Sequence, residues 1–154
     1  MKTTKKVILY LIKTLKDKIE GRKKLVKLMF LIEHFDPVSK ALSKEKTLGN
    51  RFLIYHHGVF SFEVFQCYNE LVKEGKIIDG FPIKLKHDIK VNLNERLKNK
   101  VDKIIELFGN ESGYNLEKKT LELLGINSWE KEKYFGMDVE NIIGKKFRFN
   151  FTLF

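Results

Sequence analysis

Apolar residues recur at helical spacing through the first 35 positions, then give way to shorter alternating runs and a second helical stretch. Over residues 4–19, Ile8, Leu11, Ile12, Leu15 and Ile19 share one face while Lys6, Lys13 and Lys16 fall away from it. Glu20-Gly21 breaks or kinks that helix. A second helix reaches Phe35, with Leu25, Leu28, Met29, Ile32 and Phe35 at core spacing, and ends before Pro37. Residues 37–51 are polar and contain Gly49-Asn50, which reads as a loop or short irregular helix and as the most mobile segment of the chain. A strand over Phe52–His57 runs into Gly58. Ser61 is placed to cap the next helix, with Glu63 in its first turn, and Gly75 stops it. Val64, Phe65, Tyr68, Leu71 and Val72 form the buried stripe of that helix.

Residues 77–93 then alternate, Ile83 and Leu85 against Lys84 and Lys86, and Ile89, Val91 and Leu93 against Lys90 and Asn92. This predicts a two-stranded hairpin turning near His87-Asp88. Strand, glycine turn, amphipathic helix, glycine stop and hairpin occur in the order of a winged-helix unit. Farther on, Leu97, Val101, Ile104, Ile105 and Phe108 define another helix, closed by Gly109. A shorter one follows over residues 115–124, closed by Gly125. Asn127-Ser128-Trp129-Glu130 fits a capping box for one more. The alternation Phe147-Arg148-Phe149-Asn150-Phe151 predicts a terminal strand that joins the hairpin sheet. These elements describe an α+β, mainly α-helical chain: a single compact domain over residues 1–154, with a winged-helix-like unit and a small antiparallel sheet.

A hydrophobic content of 43% excludes a wholly disordered chain. The single cysteine, Cys67, rules out an intrachain disulfide framework. The apolar run at the N-terminus is interrupted by Lys13 and Lys16 and is too short for a secretory core, and no stretch approaches a membrane span. A cytoplasmic protein that makes no use of membranes is expected. The net charge of +10 is unevenly placed: residues 1–50 hold 13 basic and 5 acidic side chains, a net of +8. An electrostatic partner should therefore meet the first third of the chain first. A lysine-rich background of genomic or thermal origin explains the same bias.

Nothing in the chain has the spacing of a catalytic or metal-binding motif. There is no nucleophile elbow, phosphate-binding glycine loop or zinc pattern, so no catalytic residue, metal ligand or cofactor is assigned. His56 and His57 are adjacent on a strand, so one should pack while the other is exposed. His34 lies at a helix end and His87 at a hairpin tip. Cys67 falls beside an apolar stripe, between Glu63 and Glu70, a setting that suits packing better than nucleophilic chemistry.

Binding surfaces are more informative. The outward side of the helix after Ser61 carries Glu63, Gln66, Asn69, Glu70, Lys73 and Glu74, and three carboxylates against one lysine would repel a phosphate backbone. Lys24, Lys84, Lys86 and Lys90 could still touch phosphate in a salt-sensitive way. Phe60 and Phe62 flank Ser61, and Phe30 shares a helix side with Lys23, Lys27 and His34. Aromatics beside a basic rim mark a protein-binding patch, although core packing explains the same residues and is the reading preferred for Phe62.

Two segments carry a family resemblance. Gly21-Arg22-Lys23-Lys24-Leu25-Val26-Lys27-Leu28-Met29-Phe30 is similar to the KLQKLLY helix of the Panacea domain family, which includes SocA-like antitoxins and YwgA-like relatives. Phe52, Tyr55, Gly58, Ser61, Val64, Leu71 and Gly75-Lys76-Ile77 resemble that family's next conserved run, with Val59 where the family usually has proline. The resemblance implies a mainly helical domain that neutralises a partner protein, a toxin encoded by an adjacent gene. The expected function is therefore non-enzymatic protein binding through Arg22, Lys23, Lys27, Phe30, Gly58, Phe60, Ser61, Gln66 and Glu70. A winged-helix transcriptional regulator that contacts DNA is the alternative.

Overall fold

A computed structural model describes residues 1–143. Helix α2 (Arg22–His34) lies at its centre, and every residue from Lys24 to His34 is buried. Apolar side chains at 25, 26 and 28–32 cover all sides of this helix, so it has no face to give to solvent. Against it pack α3 (Phe62–Lys73), α4 (Glu95–Phe108) and α5 (Gly113–Leu123), and α1 (Thr3–Leu15) packs in turn on α3 and α4. Three two-stranded antiparallel sheets complete the described fold. They pair β1 (Phe35–Asp36) with β2 (Ala41–Leu42), β3 (Leu53–Tyr55) with β4 (Gly58–Phe60), and β5 (Ile77–Ile78) with β6 (Lys84–Leu85). The architecture is α+β and mainly helical. Among the described residues, no helix is long and apolar enough to cross a membrane.

Burying α2 also buries four polar side chains, a costly step unless each finds a partner. All four find backbone. The Lys24 ammonium donates to the carbonyls of Lys18 and Gly109, both at 2.7 Å, and so caps the 3-10 turn Lys16–Lys18 and the end of α4 together. Those carbonyls lie at helix C-termini, where a cation is favoured. Lys27 donates to Val59 O on β4 at 2.7 Å. One Glu33 oxygen accepts the amides of Leu48, Gly49 and Asn50 at 2.9, 2.6 and 3.1 Å. Burial pushes the Glu33 carboxyl above its usual range against the opposing pull of those amides. His34 Nδ1 lies 2.9 Å from Ser43 O. A carbonyl can only accept, so Nδ1 carries the hydrogen.

Several expectations are corrected here. Lys24, Lys27 and Phe30, read as parts of binding faces, belong to the interior, where the Phe30 ring meets Phe52 and His34 at 5.4 and 5.6 Å. The 37–51 segment, read as a mobile loop, is tied down by β1–β2 and by Glu33. The hairpin after α3 also has another register. It pairs Ile77 with Leu85 across a turn at Asp79–Pro82, not residues 83–86 with 89–93. Residues 86–93 run on without a strand partner, with Ile89, Val91 and Leu93 partly buried on the core and Ile89 O taken by Lys13 Nζ at 2.8 Å. Ser61, Asn94 and Ser112 cap α3, α4 and α5 through their side chains, while Asn127 begins the 3-10 turn Ser128–Tyr134 with no side-chain cap. The terminal strand expected at 147–151 lies outside the described residues.

Two measurements test these anchors. Glu33→Ala should cost about 2–4 kcal/mol and speed hydrogen exchange at the Leu48, Gly49 and Asn50 amides ahead of α2. Burial pulls the Lys27 ammonium down to about 7; Glu117 opposes this, while Lys23 and Lys131 add to it. The unfolded chain holds that proton to about pH 10.4, so between these values it binds more protons than the folded protein and stability rises with pH. From pH 7 to 9.5 the wild type should gain about 3 kcal/mol relative to Lys27→Met in denaturant titrations. Parallel pH profiles would refute this origin.

Candidate functional site

The β3–β4 hairpin has a tight turn at His56-His57 and alternates its faces. Ile54 and Val59 point into the core, whereas Tyr55 points out. Gly58 follows the turn at φ +86°, and a Cβ there would meet Glu117 Cγ of α5 at 3.2 Å. This close approach sets the hairpin against α5. On its other edge, Ile54 N donates to Met137 O at 3.1 Å and Gly136 N to Ile54 O at 2.9 Å, so the segment after the second 3-10 turn adds alongside β3.

This arrangement lines up aromatic rings from three parts of the chain. Phe135 meets His56 at 4.9 Å, and His56 stacks on Tyr55 at 5.2 Å. Tyr55 meets Phe62 at 5.8 Å, Phe62 meets Phe60 at 5.0 Å, and Phe60 meets Phe65 at 5.6 Å. The Arg22 guanidinium closes the row, 5.3 Å over the Phe65 ring. Phe62 is 57% exposed, and Tyr55 and Phe135 are each more than a third exposed. From Phe62 the row continues into a shallow depression of about 520 Å³ on α3, bordered by Phe65, Gln66, Asn69, Glu70 and Lys73.

Phe62 was expected in the core, and its exposure has a local cause. Ser61 Oγ accepts Val64 N at 3.2 Å and fixes the start of α3. With that start, Val64, Cys67, Tyr68 and Leu71 turn inward, while Phe62, Gln66, Asn69 and Lys73 form the outward stripe. The acids of α3 and of its C-cap, Glu74, also face outward, and each is engaged. Glu63 accepts Arg51 N at 2.8 Å, and Lys5 pairs with Glu74 at 2.8 Å and Glu70 at 3.6 Å.

Of the residues singled out from the sequence, Arg22, Phe60, Gln66 and Glu70 meet along this row and depression. Gly58 and Ser61 are buried beneath it, as backbone and cap. Lys23 pairs with Glu117 at 2.6 Å, and Lys131 holds the other Glu117 oxygen at 3.1 Å. Burial raises the Glu117 carboxyl, but the two lysines outweigh it and hold it below its usual range. Lys84, Lys86 and Lys90 are exposed on and after β6, away from the buried Lys24. His56 and His57 are both exposed, contrary to the split expected of a strand, because they form the turn itself. Cys67 is buried, and burial pushes its thiol up. Among the described residues, no group of three His, Cys, Asp or Glu side chains could hold a metal ion.

Tyr55, His56 and Phe135 were missed as members of the row. Ile54 facing inward was the available signal for Tyr55. Phe135 sits in a polar stretch whose return to β3 is not written locally. A scan of protein families finds no matching model, and searches of curated proteins and of solved structures likewise return no match.

Gly58→Ala should destabilise the protein by about 1–2 kcal/mol, because a Cβ is strained in this backbone region and presses on Glu117. Thermal or denaturant unfolding measures it, and a neutral effect would mean that the hairpin is not set by this contact.

Proposed function

We propose that the protein is a non-enzymatic, antitoxin-like binding domain that grips a partner protein through the aromatic row and the adjoining outward face of α3. The observation that carries this reading is the exposed Phe62 within a continuous series of ring contacts from Phe135 to Phe65. Contiguous apolar surface with a polar rim gains most when a partner removes it from water. Aromatic and arginine side chains dominate the energy of such contacts.

The rim carries both signs, Arg22 and Lys73 against Glu63 and Glu70. Partner choice therefore rests on apolar anchors and local pairing more than on bulk opposite charge. Lys24 and Lys27 lie in the core, so the basic first third of the chain presents fewer cations to an electrostatic partner than its sequence implies. The resemblance to the Panacea family supplies the class of partner: a toxin encoded by an adjacent gene.

Titration of that neighbouring gene product against the wild type and Phe62→Ala tests the reading. Phe62→Ala should weaken binding roughly tenfold or more and leave the unfolding midpoint nearly unchanged, since the ring is largely in solvent. Equal affinity for the two proteins would remove the row from the interface. A site-specific mobility shift on duplex DNA that survives ~200 mM salt would move the assignment to the regulator alternative.

A further inference from the structure

Ile143, the last described residue, lies in the wall of an apolar groove. Where β1–β2 meets the ends of α4 and α5, a hollow of about 600 Å³ is lined by Phe35, Ala41, Leu42, Phe108, Leu124 and Ile143. Its floor is aromatic, with the Phe35 and Phe108 rings edge to face at 5.1 Å. Covering such a lining gains free energy in proportion to the apolar area removed from water.

The chain continues from inside this groove. After Ile143 it reads Gly-Lys-Lys-Phe-Arg-Phe-Asn-Phe-Thr-Leu-Phe over residues 144–154. Phe147, Phe149 and Phe151 alternate with Arg148, Asn150 and Thr152, a spacing that puts the three rings on one side of an extended segment. Four extended residues span at most about 14 Å, so the first ring cannot be carried far from Ile143.

The groove also offers a backbone edge. Ser43 N donates to His34 O at 2.7 Å, which makes those residues a hydrogen-bonded pair in line with the β1–β2 register. Bonded and non-bonded pairs alternate along an antiparallel ladder, so Leu42, opposite Phe35, turns its N–H and C=O away from β1. No other described segment takes them. Backbone groups beside an apolar lining call for partners, and an added strand supplies them. On the rim, Lys40 is exposed, and Lys119 is held by Glu111 at 2.6 Å. Glu122, also exposed on the rim, enters no ion pair among the described residues. It is the carboxylate available to Lys145, Lys146 or Arg148.

We infer that residues 147–151 of this chain lie in the groove as a third strand beside β2, with Phe147, Phe149 and Phe151 against the apolar lining. This puts the segment on β1–β2 rather than on β5–β6, the hairpin to which the alternation alone assigned it. The inference stands independently of the protein-binding reading, which rests on the aromatic row.

Nuclear magnetic resonance of the full chain tests it. Ring-to-methyl contacts are expected from Phe147, Phe149 and Phe151 to Leu42, Leu124 and Ile143, together with a Leu42 amide protected from hydrogen exchange. The triple variant Phe147→Ser/Phe149→Ser/Phe151→Ser should speed exchange at Leu42 roughly tenfold or more. It should leave the Ile54 amide, bound to Met137 O, unchanged. Ring contacts to Ile78 and Leu85 instead would place the segment on β5–β6 and overturn the inference. Contacts seen only between differently labelled copies would make a second copy the occupant and overturn it too. Absence of ring contacts, with Leu42 exchanging as fast in the wild type as in the triple variant, would leave the groove to another protein and equally overturn it. If the triple variant is misfolded, the wild-type ring contacts and Leu42 protection decide the matter by themselves.

Discussion

The fold depends on one central helix whose buried polar side chains are all answered by backbone groups of the segments around it. Lys24, Lys27, Glu33 and His34 would each oppose folding if left alone in the interior. Instead, they bind carbonyls and amides of the strand, helix end and loops packed around the helix. Apolar contact gathers the helices around α2, and these polar contacts set where the loops lie. The short sheets are consistent with this division, since strands of two or three residues contribute little organisation of their own.

The same arrangement determines what is left for the surface. Lys27 holds β4 from below at Val59, and α5 supports Gly58 from the side. The aromatic row thus stands on a hairpin fixed from two directions. A patch held this way is pre-organised, and little ordering remains for a partner to impose.

Much of this was legible in the sequence where the signal was local. The five helices follow their apolar spacing, and Ser61, Gly75 and Gly125 lie at ends that the residues alone mark. The errors arose where position depends on distant chain. Lys24 and Lys27 looked solvent-facing because lysine usually is, yet the apolar residues at 25, 26 and 28–32 already covered every side of α2. The alternation through 83–93 suggested a hairpin, but the Asp79–Pro82 turn paired Ile77–Ile78 with Lys84–Leu85 first and left the rest without a strand. Phe62 looked like core until the cap at Ser61 fixed the phase of α3. A cavity beside His34 brings together residues from positions 3 to 100, and no single window contains that pattern.

Anchoring at both ends turns α2 into a ruler. Lys24 and Lys27 address one set of neighbours and Glu33 and His34 another, nearly two turns away along the same rod. One residue more or fewer between Lys27 and Glu33 would swing one set by about 100° relative to the other, and both could not then reach their backbone partners. Length is therefore held constant within this helix, while the exposed turn at Lys44-Glu45 meets no comparable constraint and can tolerate insertions.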